Sequence, residues 1–576
     1  MREKFIKKSK NVSKIKPISS IIKEFLSSGD TIHFSTINAA PLRLIMQIVK
    51  DFCGKNVKFN VSMAGLINTS LTLFHCDLID TAITTFLGEG YPTPGPSPII
   101  QRKFQQGSLK VENWSMLTLP LRLLAGAFNW EWIPTNSLIR SSLFNDLKEK
   151  KLVREIEGES SQILIRKYQP DWVFVHAIAT DEEGNLLLPP PRGESPLLAF
   201  AAKKGVIATA DYLVTRDFVR RYPGFVGIPS DYVKAVSICH FGSHPGGIIA
   251  MGLPLQTYAE DYDFMYDFRK ASHDEKDLEK WMNEWIFSID SCDEYKKKLG
   301  SERVMMLMGK AYPDSWQNEL LKYEDSLDGK MNYLERMTLI AGKIIAEKVK
   351  QKGYRNILAG IGISGLASWM AKKFLEEEGR YVNLVAELGQ YDYEPRPTNP
   401  FIFNFWNSWS STLAAGIFEG LGIFTQGNNA KSLGVLGAGQ IDKNGNINST
   451  MIPGVMYLVG SGGANDVASA ADEVMVVVEQ QPGRLVEKVP YITAPGKRVT
   501  TLITSLGIFE KMEDELTLTG VILKENQKEE EVVEKIKQTT LWKLRIKTPL
   551  SHYTFSDEKW LKILRAYDPR RQFLST

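Results

Sequence analysis

The residues best placed for chemistry lie between Asn356 and Asp466. Gly360-Ile-Gly362-Ile-Ser-Gly365 follows a strand-like run and opens a helical one, and Glu387 stands 22 residues beyond the last glycine. Taken alone, this is a dinucleotide fingerprint: glycines for a tight turn and close approach to a pyrophosphate, then an acid for a ribose hydroxyl. A second loop, Gly460-Ser-Gly462-Gly463-Ala464-Asn465-Asp466, also joins a strand to a helix. Converging backbone N–H groups in such a loop hold an anion or a developing oxyanion. A third, Gly437-Ala438-Gly439-Gln440, offers small residues and one amide at a strand end. Together they outline a site in which Glu387, at the strand end Ala386-Glu387-Leu388-Gly389, faces glycine loops. For each feature taken singly, the plain alternative is a tight turn or a solvated edge charge.

Other chemistries find little support. The four cysteines, Cys53, Cys76, Cys239 and Cys292, are far apart and form no C-x-x-C, and the seven histidines form no H-E-x-x-H. No metal, no disulfide framework and a reducing compartment are therefore expected. The net charge of +3, from 70 Lys+Arg against 67 Asp+Glu, gives no global field for nucleic acid. The longest apolar stretch, Ser115 to Ile133, carries Arg122 and Glu131 and is broken by Pro120, so no membrane span is expected. The basic N-terminus lacks the apolar run of a secretory signal, and residues 1–24 read as a solvated tail of a cytoplasmic protein.

A site built from strand ends needs a scaffold that holds them still. At 576 residues, 43% hydrophobic and 24% charged, the chain has material for about three to five domain-sized units and is not mainly disordered. Strand-like runs alternate with amphipathic helical ones, the pattern of a parallel sheet covered by helices. The expected strands are Thr31–Phe34, Lys58–Ser62, Ala82–Phe86, Asp171–Ile178, Gly205–Ala208 and Val233–Ile238, then Asn356–Ala359, Asn383–Ala386, Leu433–Leu436, Glu473–Val478 and Val489–Ile492. Two D-x-x-G-N turns recur in order, at Asp181–Asn185 and Asp442–Asn446, each followed by a strand and a Pro-Gly loop, Ser243–Gly246 and Thr493–Gly496. Two related α/β halves follow: residues 25–310, a charged helical connector over 311–335, and residues 336–576.

The second half resembles the smaller subunit of the family I CoA-transferases, and among them the glutaconate CoA-transferases. The matching stretches are NILAGIGISGLASWMAKKF, LVAELGQYD, GVLGAGQIDKNGNINST, YLVGSGGANDVASAADEV and VPYITAPGKR. The first half resembles the other subunit through SGDTIHFSTINAAP, VSMAG, GSLKVENWSMLTLPLRLLAGA, IPTNSL, QPDWVFVHAIATDEEGN and KAVSICHFGSHPGG. The resemblance covers nearly the whole chain and implies two homologous α/β domains, the two subunit types fused in one chain. It implies that Glu387, in its E-x-G motif, is the nucleophile that carries CoA from an acyl-CoA to a carboxylic acid. An ordinary carboxyl, with pKa about 4.3, is ionised at neutral pH and needs no general base. Gly437, Ala438, Gly439, Gln440, Gly462, Gly463 and Ala464 are the candidates for the oxyanion hole and the CoA approach. Ser35, Asn38, Ser62 and Met63 are the candidates for the acyl pocket.

The resemblance implies no cofactor, since CoA is itself a substrate, and it implies self-association. Glu89, between Gly88 and Gly90, keeps open a ring-opening hydrolase of CoA thioesters with a first-half carboxylate. The glycine fingerprint keeps open a nicotinamide-dependent dehydrogenase. The aromatic segment Pro395–Ser411 is either a seam between the halves or the lining of a pocket for a bulky apolar acyl group.

Overall fold

The computed structural model describes residues 13–158 and 161–576. The first half is built on seven parallel strands: β1 (Thr31–Phe34), β2 (Phe59–Ile67), β3 (Ile79–Gly88), β4 (Val111–Asn113), β5 (Trp172–Thr180), β6 (Gly205–Leu213) and β7 (Val233–Ile238). Their order is β7-β6-β5-β1-β2-β3-β4, with two short antiparallel strands beyond β5. All nine residues of β5 are buried, as expected for a central strand covered on both faces.

The second sheet has a parallel centre of β8 (Asn356–Ala359), β9 (Asn383–Ala386), β11 (Ser432–Leu436), β12 (Glu473–Val478) and β13 (Val499–Thr504), in the order β9-β8-β11-β12-β13. The short β10 (Gln390–Tyr391) extends it antiparallel beside β9. At the other edge β14 (Gly507–Met512), β15 (Glu515–Ile522) and β16 (Ile546–Tyr553) follow β13.

The two centres share one topology, since β2-β1-β5-β6-β7 and β9-β8-β11-β12-β13 have the same order of chain visits. The D-x-x-G-N turns sit at the same place, after β5 and after β11, with the same bonds. Asp181 accepts from the backbone and side-chain N–H groups of Asn185 at 3.0 and 2.8 Å. Asp442 does so from Asn446 at 2.9 and 3.0 Å. Asn185 then accepts from Ser230 N–H and Asn446 from Gly496 N–H. These bonds correct the expected loop pairing: the counterpart of Ala494-Pro495-Gly496 is Ile228-Pro229-Ser230, before β7, and not Ser243–Gly246, which follows it. The expected strand at Val489–Ile492 is likewise absent. Pro490 removes a ladder donor there, and the last strand of the parallel centre is β13.

The tail reading is corrected for residues 13–24. Ile15 bridges to Val236, and helix α1 (Ile18–Phe25) buries Ile18, Ile21 and Ile22 on one helical face. The remainder of that expected tail, residues 1–12, lies outside the described residues. The cysteine reading is also overturned. Cys53, at the end of helix α2 (Leu42–Phe52), is bonded to Cys76, and Cys239, just after β7, to Cys292, each pair with Cα atoms 5.1 Å apart. The spacing in sequence was uninformative because the fold, not a short motif, brings each pair together.

No helix among the described residues is long and apolar enough to cross a membrane. The connector closes on the second half through helix α3 (Tyr333–Lys352), whose Asn332–Glu335 capping box starts it. Arg565 is buried against Glu335 at 2.7 Å and donates to the carbonyls of Leu327 and Gly329.

Candidate active site

Both sheets turn the carboxyl ends of their parallel strands toward one cavity of about 890 Å³, where ligands of open α/β sheets bind. Thr36 after β1, Ile67 at the end of β2 and Gly90 after β3 reach it from the first half. Gly360, Glu387, Gly437 and Glu479, after β8, β9, β11 and β12, reach it from the second.

Glu387 stands where the backbone permits few alternatives. Gly389 has φ +100°, a conformation that suits glycine, and a Cβ there would run into the backbone of Ala415 and Gly416. The turn is closed by Gly389 N–H donating to Ala386 O at 3.0 Å and by Ala415 N–H donating to Gly389 O at 2.9 Å. On the other side, a Cβ on Gly420 would lie 2.8 Å from Glu387 O. The carboxylate accepts the Gly463 N–H, and a Cβ at 463 would overlap its Oε2.

Burial, with the Asp466 charge adding to it and the Gly463 N–H opposing, pushes Glu387 up to about 7. This corrects the expectation of an ordinary carboxyl: at pH 7 about half of the protein carries it as the anion. Asp466 is fully buried and itself raised to about 6 by burial. It accepts from Ser115 Oγ at 2.6 Å and from Leu117 N–H at 3.0 Å. Its neighbour Asn465 accepts from Leu138 N–H at 2.7 Å and donates to Thr493 O at 2.8 Å. The two residues that follow the glycine loop thus bind the halves together, one of them beside Glu387. Neither stood among the expected site residues. Their signal was faint: two polar residues directly after small ones, at the start of a buried helix.

The loop itself is docked on the edge of β3. Leu87 N–H donates to Val459 O at 2.7 Å, Gly462 N–H to Thr85 O at 2.9 Å, and Met116 N–H to Gly462 O at 2.9 Å. Gly460 has φ +107°, and a Cβ there would lie 2.5 Å from Thr85 O. Around it Ala64, Met116 and Leu117 share an apolar cluster with Val385, Leu421 and Val467.

Gly437, Ala438, Gly439, Gly462, Gly463, Ala464, Asn38 and Met63 all border the cavity. The amides of Gly437, Ala438 and Gly439 donate no hydrogen bond among the described residues. Those of Gly462 and Ala464 are committed, to Thr85 O and Ser461 O, and that of Gly463 faces Glu387. Gln440 does not border the cavity; it donates to Gly483 O and accepts from Asn448. Asn38 has its amide spent on Pro189 O, Ile249 O and Ile249 N–H.

Ser35 and Ser62 are wholly buried and tied to Glu194 and His33, behind the wall. Glu89 is also behind it, 1% exposed, facing Ser97, Arg269 and Ser272, while Gly90 and Thr93 to Pro96 form the lining. The acid of the hydrolase alternative does not reach the cavity. The glycines of residues 360–365 do form a strand-to-helix turn, with Gly362 at φ +108°, but the acid beyond them is held by Gly463. Phe401, Phe403 and Phe405 line the cavity, which settles the aromatic segment as part of its wall. Glu260 and Arg484 line it too; nothing in their local sequence marks them.

The chain is 25% identical over 302 residues to an uncharacterized protein of Archaeoglobus fulgidus, covering 51% of this chain and 63% of that one, less than two thirds of its length. It is 22% identical over 320 residues to one of the subunits of glutaconate CoA-transferase from Acidaminococcus fermentans, covering 51% of this chain and 95% of that one. The fold matches that of the Escherichia coli O157:H7 acyl-CoA transferase YdiF, in its thioester complex with CoA, with TM-score 0.66, 14% identity and 96% of each chain covered. The Coenzyme A transferase family model matches residues 16–237 and 395–522, more than half of the sequence, and the chain belongs to that family.

Proposed function

We propose that this protein moves CoA from an acyl-CoA to a carboxylic acid by a ping-pong reaction on Glu387. The observation that carries the reading is Glu387 itself, a clamped strand-end carboxylate that lines, with two glycine loops, a cavity shared by both halves. The Glu387 carboxylate attacks the thioester carbonyl and expels CoA thiolate, forming an acyl-glutamyl anhydride. The thiolate attacks the Glu387 carbonyl and releases the first acid as its carboxylate, leaving a glutamyl-CoA thioester. A second carboxylate reverses both steps.

Each step passes through an oxyanion, for which the Gly463 N–H is the donor beside Glu387, with the unengaged amides of Gly437, Ala438 and Gly439 farther along the cavity on the CoA approach; a single oxyanion donor is worth about 2.7–4 kcal/mol in other enzymes. The proposal includes the two subunit types fused in one chain, self-association, and no cofactor beyond CoA as substrate. YdiF supports the covalent step, since its crystal form is described as a thioester complex with CoA.

Intact mass spectra after incubation with a set of acyl-CoAs test it. The expected result is a CoA-sized adduct, removed by hydroxylamine and absent from Glu387→Ala. Consumption of acyl-CoA without an adduct in any condition would overturn the covalent route.

Gly463→Ala probes the same geometry. Its backbone, at φ −82°, accepts alanine, so the cost falls on the displaced carboxylate. A fall in kcat/KM of about 100-fold is expected with little change in the melting temperature, read by steady-state kinetics beside a thermal melt.

A further inference from the structure

Glu387 sits between two arms of the cavity. In one direction β8, β11 and β12 step along the sheet at about 4.8 Å each, so that Glu479 lies roughly 14 Å away. Arg484 follows it, held by donating to Glu479 O at 3.0 Å. It is the one Lys, Arg or His among the described residues that line the cavity. In the other direction β10 continues the sheet, and Gln390 Nε2 donates to Ser408 Oγ at 3.1 Å, fixing the aromatic segment to that edge. Phe401, Phe403 and Phe405 line this arm, with Ile249 and Met265 from the first half. Granting the CoA-transferase reading above, the CoA phosphates go to the guanidinium, and the acyl group extends the other way.

That arm holds acceptors and a negative charge. Glu260 lines the cavity there, with its carboxylate accepting from Phe405 N–H beside Tyr262. Burial pushes it up to about 7, which leaves it ionised at pH 8.5. Gln390, 4% exposed, presents an Oε1 with no hydrogen-bond partner among the described residues. An incoming alkyl or aryl chain meets apolar wall, whereas an incoming second carboxylate meets a like charge; Lys310 and Arg570 line a separate small pocket that Glu260 also borders, and neither lines this cavity. We propose that the aromatic arm takes the hydrocarbon chain of a monocarboxylic acid, alkyl or arylalkyl, and that Glu260 excludes acids bearing a second carboxylate.

Hexanoate and adipate have the same number of carbons and differ in that carboxylate. The test loads wild-type protein with CoA from hexanoyl-CoA, removes excess donor, and follows discharge of the adduct by each acid at pH 8.5. Hexanoate, and 3-phenylpropanoate beside it, should discharge it at least about 100-fold faster than adipate. Glu260→Gln should narrow that ratio about tenfold or more by accelerating adipate, and Met265→Lys, a cation in the same arm, should act in the same direction. Equal discharge, a preference for adipate, or loading only from glutaryl-CoA overturns the proposal while leaving the transferase reading intact. A ratio unchanged in both variants removes Glu260 as its cause and overturns that part. No adduct from any acyl-CoA overturns the transferase reading, and this proposal with it.

Discussion

Glu387→Gln is expected to lower kcat for CoA transfer by about 10⁴-fold or more and, at the same time, to stabilise the protein above pH 7. Both follow from one carboxylate. The amide is nearly isosteric and its oxygen still accepts the Gly463 N–H, so the clamp of Gly389 and Gly420 stays in place while the nucleophile is lost. In the wild type the folded-state pKa of Glu387 is about 7, above the ordinary value. The folded state therefore holds a proton that the unfolded chain releases, and stability falls as the pH rises from about 4.5 to about 7. Each tenfold difference in proton affinity between the two states corresponds to about 1.36 kcal/mol. Shared in part with Asp466, the gain for the glutamine variant is about 1–3 kcal/mol at pH 8 and vanishes at pH 4, where both side chains are neutral. Denaturant unfolding at the two pH values measures it without reference to activity. In wild-type kinetics, kcat/KM for the acyl-CoA donor should fall tenfold per pH unit below about 7 and level off above it. Discharge of the preformed CoA adduct should lack that limb, because Glu387 is then esterified and cannot titrate.

Much of the scaffold was written in local pattern. The strands of both centres are short apolar runs bounded by Gly, Asp and Asn, and nearly all were legible at their positions. The D-x-x-G-N turns were legible for the same reason, since the Asp bonds its own turn. What failed were assignments that depend on contacts distant in sequence. Ser243–Gly246 looked like the partner of Thr493–Gly496 because both contain Pro-Gly, yet the bond from Asn446 to Gly496 has its equivalent at Ser230. Glu387 stands out in the sequence because its surroundings are local, a strand, a turn and a glycine two residues on, while its role as nucleophile comes from the family resemblance. Its raised pKa was not, because it comes from Asp466 and from burial that only the folded seam supplies. Glu260, Arg484 and Asp466 are ordinary charges in sequence and acquire their places through neighbours elsewhere in the chain. Gln440 shows the converse, a residue inside a matching motif whose side chain turns to its own sheet.

The paired cysteines carry the second large expectation, that reduction destabilises the first half by about 3–4 kcal/mol per bridge. The bridges close segments of 23 and 53 residues, and loop-closure entropy at those lengths gives about 3.5 and 4 kcal/mol. Thiol titration in denaturant without reductant should find no free cysteine, and four after reduction. If that half unfolds as one unit, each bridge is worth roughly 5 °C or more in melting temperature. The two bridges should then separate by function. Cys53–Cys76 ties helix α2 to the approach of β3, on the apolar core and away from the cavity lining. Cys239 leads directly into Ser243, Pro245, Gly246 and Gly247, which line the cavity, so opening Cys239–Cys292 frees one wall of that cavity. The double variant Cys239→Ser, Cys292→Ser should therefore raise KM for the acyl substrate several-fold as well as lower the melting temperature, whereas Cys53→Ser, Cys76→Ser should change the melting temperature with KM held. Four free thiols in the unreduced protein would remove both effects at once and restore the reading of a reduced chain.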